Sequence, residues 1–131
     1  MKLIIAGSRT LIATKYCMRD ILDNFGLEPE NPDIVTEIVS GTAAGIDQAG
    51  EHFAKQYTIP VKKFPADWDK HGKAAGPIRN AEMAKYADAL LLIWDGSSRG
   101  SANMKQNMEK LGKPVYEVII KVPKIIVEDE L

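Results

Sequence analysis

Short apolar runs alternate along the chain with longer segments of helical periodicity. The runs at 3–7 and 88–94 are apolar at almost every position, which is typical of strands that are buried on both faces. The segments 14–25 and 44–57 instead place apolar residues at helical spacing. Because strand and helix alternate in this way, the pattern favours a parallel sheet with crossover helices.

The same pattern gives a complete set of predicted elements. Strands are predicted at 3–7, 34–41, 59–65, 88–94 and 113–120, and helices at 14–25, 44–57, 77–87 and 101–112. The segment 66–76 has no clear hydrophobic period and is predicted to be a functional loop. The segment 122–131 is predicted to be a short edge strand with an acidic end. The predicted fold class is α/β: a Rossmann-like, doubly wound parallel sheet of about five strands with helices on both faces. Residues 1–131 are predicted to form one domain.

The composition of the chain restricts the range of possible functions. The chain has 131 residues and a net charge of −1, so it lacks the basic excess of most nucleic-acid-binding proteins. Cys17 is the single cysteine, which excludes a disulfide within the chain, and it is predicted to be a buried apolar residue of the 14–25 helix. The apolar run near the N-terminus is too short for a signal peptide or membrane span, so we predict a cytoplasmic protein that contacts no membrane.

Three predicted strand ends carry glycine and small polar residues, and each leads into a helix. They are Gly7, Ser8, Arg9 and Thr10; then Ser40, Gly41, Thr42, Ala43, Gly45 and Asp47; and finally Asp95, Gly96, Ser98, Arg99, Gly100 and Ser101. Ligands of open parallel sheets bind beyond the carboxyl ends of the strands. Glycine lets the backbone approach a ligand, and a helix N-terminus offers free N–H groups to phosphate or ribose oxygens.

Three arginines and two loop residues complete the predicted ligand site. Arg9 and Arg99 lie inside loops of small residues, and guanidinium groups bind phosphate well. Arg79 opens the 77–87 helix, where a plain surface position is the alternative interpretation. Trp68 is a candidate for stacking on a base and Asp67 for holding ribose hydroxyls, although Trp68 is equally compatible with packing under its loop. The sequence shows no metal-ligand spacing and no Walker lysine, and no cofactor is predicted.

Four stretches together resemble the YspA-like branch of the SLOG superfamily: IIAGSRT, VSGTAAGID, FPADWDKHGKAAGPIRNAEMAKYADALLLIWDGSSRGSANM and GKPVYEV. The resemblance covers about residues 2–119, and the ADW…GKAAGPIRN block is its most specific part. The superfamily includes the LOG phosphoribohydrolases, which activate cytokinins, and DNA-processing protein A. The resemblance implies a Rossmann-like fold that binds nucleotides or nucleotide-derived signals, often as a homo-oligomer such as a dimer or tetramer.

The resemblance to the LOG enzymes is incomplete where their chemistry needs it. Their Arg-x-x-x-Met segment corresponds to Arg79–Met83, but their loop glutamate falls on Met104. A ribosidic bond breaks through an oxocarbenium-like state that requires a carboxylate nearby, which a thioether cannot replace. Met104 also fits the core face of its helix. Asp47, Asp95 or Glu82 could substitute, and the sequence selects none of them.

We therefore predict a small nucleotide-binding protein, with an ADP-ribose derivative or a cyclic nucleotide as its ligand, which senses or sequesters the signal without turnover. No catalytic residue is assigned. An N-ribosidic nucleotide hydrolase of the LOG type is the alternative. Single-stranded DNA binding ranks third: SGTAAGID…AGEH resembles DNA-processing protein A, but no patch of basic residues interleaved with aromatics is visible.

Overall fold

The computed structural model describes residues 1–9 and 15–120. Five strands and five α-helices follow one another in this part of the chain, with one 3₁₀ turn at Gly72–Ala74. In chain order they are β1 Lys2–Gly7, α1 Lys15–Asn24, β2 Glu37–Ser40, α2 Ile46–Gln56, β3 Val61–Lys63, α3 Trp68–His71, α4 Ala75–Tyr86, β4 Ala89–Trp94, α5 Arg99–Lys110 and β5 Val115–Ile119.

The strands form one parallel sheet in the order β3-β2-β1-β4-β5. The predicted fold class is therefore confirmed: the domain is a Rossmann-like α/β fold. The strand order reverses between β1 and β4, which pair over five residues from Leu3 opposite Ala89 to Gly7 opposite Ile93. This reversal leaves a crevice at the carboxyl ends of the two strands, where open α/β sheets bind ligands.

The sheet separates two apolar layers. Leu3 and Ile5 point to one layer, which α1 and α2 cover, and Ile4 points to the other, which α4 and α5 cover. Side chains alternate between the faces of a strand, so an unbroken apolar run supplies both layers at once. This explains why the central strands have no polar face.

Several elements differ in extent from the prediction, among them β2 and β3, which are shorter than predicted, and helix capping explains two of the differences. The segment 66–76 is largely helical, because Asp67 caps α3 by accepting a hydrogen bond from the amide of Lys70 at 3.1 Å. Helix α5 begins two residues earlier than predicted, because the Ser98 hydroxyl oxygen accepts from the amide of Ser101 at 3.4 Å. The predicted edge strand at 122–131 lies outside the described residues.

One residue of helix α1 that we predicted to be buried does not face the core. Cys17 is exposed, so its prediction as a buried residue is wrong. Met18 and Leu22 are buried, and Ile21 is partly buried against the same core. The apolar stripe of a helix is wider than one position, and the helix is rotated so that Cys17 lies at its outer margin. Among the described residues, no helix is both long and apolar enough to cross a membrane.

Lys113 closes the carboxyl end of α4 from a distant part of the chain. Its Nζ donates to the carbonyl oxygens of Ala84 at 2.7 Å, Lys85 at 3.1 Å and Ala87 at 2.7 Å. These carbonyls belong to the last turn of the helix and the residue after it, where partners within the helix run out.

We expect Lys113→Met to lower the free energy of unfolding by about 1–2 kcal/mol, because three carbonyls lose a charged donor. Urea denaturation measures this change. Lys110→Met, at an exposed position of α5, is the matched control and should change it by less than about 0.5 kcal/mol. Equal midpoints for the two variants would show that the Lys113 contacts contribute nothing to stability.

Candidate ligand-binding crevice

Ser8 ties the loops after β1 and β4 together. Its amide donates to the carbonyl of Ile93 at 3.2 Å, and its Oγ accepts from the amide of Asp95 at 3.1 Å. The carbonyl oxygen of Ser8 accepts in turn from the amide of Ile46, the first residue of α2, at 3.4 Å. Ser8 is 2% exposed, so its polar groups serve mainly to hold three loops at one point.

Gly45 allows α2 to start directly against the loop after β1. It has φ of +79°, and a Cβ at this position would lie 2.5 Å from the carbonyl oxygens of both Ser8 and Arg9. Only glycine combines this backbone conformation with so close an approach. The second glycine of the stretch GTAAGID therefore positions the crevice rather than lining it.

The crevice has two lobes. The inner lobe, of about 330 Å³, is lined by Ala6, Gly7, Ser8, Arg9, Ala43, Asp47, Arg79, Asn80, Met83, Asp95, Ser98, Gly100, Ser101 and Met104. The outer lobe, of about 230 Å³, is lined by Arg9, Trp68, Gly76, Pro77, Arg79, Asn80, Arg99, Gly100 and Asn103. Four residues line both lobes and form their junction: Arg9, Arg79, Asn80 and Gly100. The structure thus brings the three predicted arginines to one crevice.

Arg79 is half-buried at the junction. Its Nη1 donates to the carbonyl of Gly41, and its Nε donates to Oδ1 of Asn80 at 2.9 Å. Burial lowers the pKa of Arg79, and the charge of Arg9 lowers it further, while Asp47 raises it. Two guanidinium groups that repel each other at a partly desolvated site favour an anion between them.

Asp47 is a buried carboxyl in the inner lobe, with 5% of the residue exposed. Burial raises the pKa of Asp47 to about 6, and the neighbouring charge of Glu51 adds to the rise. A hydrogen bond from the amide of Ala43, at 3.3 Å, and the charge of Arg79 act in the opposite direction. Desolvation has the largest effect, so this carboxyl titrates near neutral pH.

Asp95 shows the opposite behaviour at the other wall of the inner lobe. Its Oδ1 accepts from the amides of Ser97 at 2.9 Å and Ser98 at 3.0 Å, and these bonds lower the pKa of Asp95. The same turn sets the start of α5. The amides of Arg99 and Gly100 come before the first backbone hydrogen bond of α5, so they have no acceptor within the helix. Both residues lie beside the crevice.

Several predicted site residues line neither lobe. They are Ser40, Gly41, Thr42, Gly45, Asp67 and Gly96. The Ser40 hydroxyl donates to Glu51 at 2.6 Å and accepts from the amide of Thr42 at 3.1 Å, so it shapes the loop after β2. Thr10 lies outside the described residues.

Asn80 and the apolar floor of the inner lobe were not predicted from the sequence. Asn80 is 7% exposed and lies next to Arg79 in the stretch GPIRN, which is the signal that could have identified it. Met83 and Met104 form the floor together with Ala6, and both methionines also pack in the core beneath. Their helical spacing fits a core residue and a floor residue equally well, so periodicity alone could not separate these roles.

The same fold occurs in a solved structure of another protein. The chain is similar to the X-ray structure of DNA processing protein A (DprA) from Streptococcus pneumoniae, with a TM-score of 0.69 and 19% sequence identity. The similarity covers 97% of this chain and 52% of that one, so the chain spans about half the length of its structural relative. The domain therefore has the DprA-like fold.

Sequence comparison gives a closer relationship. No protein-family model matches the chain. The gene 61 protein of Mycobacterium phage D29 is 33% identical over 84 residues, which cover 60% of this chain and 67% of that protein. The chain belongs to the same protein family as this phage protein.

Proposed function

We propose that the crevice binds a nucleotide or a nucleotide-derived signalling molecule, such as an ADP-ribose derivative or a cyclic nucleotide. One observation carries the proposal: Arg9, Arg79 and Arg99 line the same lobe of a crevice at the switch point of the sheet. A structural role does not require three guanidinium groups to share a cavity. An anionic ligand neutralises their mutual repulsion.

The junction of the two lobes is the proposed phosphate site. Arg9 and Arg79 lie there together with Gly100, whose amide belongs to the first turn of α5. A phosphate at this point would accept from guanidinium groups and from backbone amides of a helix N-terminus at the same time. The inner lobe, at about 330 Å³, falls in the usual size range of small-molecule sites.

The floor of the inner lobe supports binding without turnover. Met104, which stands where the LOG enzymes have their glutamate, is 1% exposed and lies on that floor beside Met83. A thioether neither donates a proton nor stabilises an oxocarbenium-like state as a carboxylate does. In this proposal the protein senses or sequesters its ligand, and we also expect it to be a homo-oligomer.

A nucleotide hydrolase that cleaves the N-ribosidic bond is the second candidate, and the two carboxyls of the inner lobe favour it. Asp47 has a raised pKa and Asp95 a lowered one. Carboxyls whose environments separate their pKa values are suited to acid and base roles in one reaction. Glu82 is exposed and lines neither lobe, so Asp47 and Asp95 are the carboxyls that a hydrolase would use.

Binding measurements with a matched pair of variants test the proposal. We expect Arg79→Met to weaken the binding of the preferred nucleotide by about 10- to 100-fold, because a partly desolvated charge-assisted contact is lost. Arg19→Met is the control, since Arg19 pairs with Asp23 and Glu30 outside the crevice. Isothermal titration calorimetry with a panel of nucleotides and ADP-ribose gives both affinities. An equal effect of the two substitutions would contradict a phosphate site at Arg79.

The same panel separates binding from hydrolysis. After incubation of each nucleotide with the protein, chromatography shows whether free base is released. Release at ordinary enzyme rates that Asp47→Asn and Arg79→Met abolish would replace the binding proposal with the hydrolase. Native mass spectrometry of protein taken directly from cells gives the number of subunits and the mass of any nucleotide that has co-purified.

Single-stranded DNA is a third candidate ligand, because the structural relative is named for DNA processing. The net charge of −1 argues against an extended phosphate-binding surface. A gel shift with single-stranded DNA that weakens steeply with salt would support this candidate. The absence of a shift at low salt would remove it.

A further inference from the structure

A chain of hydrogen bonds that starts at Arg79 fixes the orientation of the Asn103 side-chain amide. Because Nε of Arg79 can only donate, the atom of Asn80 that it contacts at 2.9 Å must be the oxygen, and Nδ2 of Asn80 is then the donor to Asn103. Oδ1 of Asn103 accepts from this group at 3.0 Å and from Nδ2 of Asn107 at 3.2 Å. Both acceptor positions of the Asn103 oxygen are filled.

The nitrogen of Asn103 is consequently the polar group left for the outer lobe, which this residue lines. If the Asn103 amide were reversed, its NH₂ group would face the NH₂ groups of Asn80 and Asn107, and none of the three could accept a hydrogen bond. The network therefore excludes the reversed orientation. The outer lobe therefore offers a donor from Asn103 to an acceptor on a ligand.

Trp68 supplies an aromatic surface in the same lobe. It is 51% exposed, although large aromatic side chains are usually well buried. One edge of the ring lies beside Gly76, because a Cβ at that position would lie 3.5 Å from Cη2 of Trp68. An indole that is packed at one edge and open elsewhere can accept a planar ring by stacking.

We propose that the outer lobe is a subsite for the heterocyclic base of the ligand, in which the base stacks on Trp68 and accepts a hydrogen bond from Nδ2 of Asn103. This inference rests on the proposed function, because the phosphate at the lobe junction places the base within reach.

Comparing nucleotides with a ligand that lacks the base tests the subsite. The probes are AMP, GMP, CMP, UMP, cyclic AMP and ADP-ribose, with ribose 5-phosphate as the base-free reference, titrated by calorimetry into the full chain. Trp68→Ala is expected to weaken the tightest nucleotide roughly 5- to 100-fold, since stacking on an aromatic side chain contributes that much per base. The affinity for ribose 5-phosphate should not change. Trp68→Phe keeps an aromatic face and should restore most of the nucleotide affinity.

Asn103→Asp provides an independent second variant. Aspartate keeps the oxygen that accepts from Asn80 and Asn107 but has no donor for a base. Its added negative charge weakens both classes of probe, so the ratio of nucleotide affinity to ribose 5-phosphate affinity is the relevant quantity. We expect this ratio to fall by roughly 5- to 10-fold, the effect of one lost hydrogen bond.

The outcomes distinguish this inference from the function on which it rests. If nucleotides and ribose 5-phosphate both bind but Trp68→Ala leaves their ratio unchanged, the base subsite is overturned while the proposed function stands. If Trp68→Ala changes the number of subunits but leaves the ratio of nucleotide affinity to ribose 5-phosphate affinity unchanged, the base subsite is also overturned. Trp68 would then be assigned to a protein interface. If neither class of probe binds, both the subsite and the proposed function are overturned.

Discussion

Gly7→Ala is expected to lower the free energy of unfolding by about 3 kcal/mol or more. A Cβ at Gly7 would lie 1.8 Å from the carbonyl oxygen of Ile93 and 3.0 Å from Cγ1 of Ile46. The first contact is with the backbone of the neighbouring central strand, which pairs with Gly7 in the sheet. Side-chain rotation cannot relieve it, so β1 and β4 would have to separate beside the crevice.

Gly100→Ala is the matched control, because the same methyl group is added where nothing lies within 4 Å. Gly100 is in the first turn of α5, and alanine is the better helix former. We therefore expect the free energy of unfolding of the Gly100→Ala variant to be unchanged or raised by up to about 1 kcal/mol. Urea denaturation compares the two variants. If both had the midpoint of the wild type, β1 and β4 would not approach as closely at Gly7 as the structure places them.

The sheet and the edge at which its loops converge were predictable because they depend on patterns of short range. The unbroken apolar run at β4 indicated a strand buried on both faces, and parallel strands necessarily bring their carboxyl ends to one edge. This reasoning predicted that Arg9 and Arg99 would lie near each other. It required no knowledge of side-chain contacts.

Roles within the loops were less predictable, because the same residue types serve ligands and backbone. Asp67 precedes a helix, where aspartate either caps or binds, and here it caps α3. The hydroxyl of Ser40 likewise serves its own loop and Glu51. Asn80 was missed because the face of α4 that turns to the crevice depends on how the helix packs on the sheet. Sequence spacing does not report this rotation.

Asp47→Asn is expected to change how stability depends on pH. The pKa of Asp47 is raised from 3.8 to about 6 in the folded protein. The folded state therefore holds its proton more tightly than the unfolded state, and the stability that Asp47 contributes is lost as pH rises from about 4 to 6. A gap of about two pH units corresponds to about 3 kcal/mol. Asparagine does not titrate, so this loss disappears in the variant.

The measured quantity is the difference in free energy of unfolding between variant and wild type, by urea denaturation from pH 4 to pH 7. Taking the difference cancels the contributions of the other titrating groups. As the pH rises across this range, the free energy of unfolding of the variant should increase relative to that of the wild type by about 3 kcal/mol. Asp95→Asn is the control with the opposite sign. The pKa of Asp95 is lowered by the amides of Ser97 and Ser98, so its contribution is present at neutral pH and lost in acid. A difference for Asp47→Asn that does not vary with pH would show that folding does not raise the pKa of Asp47, and it would remove the raised pKa on which the hydrolase candidate depends.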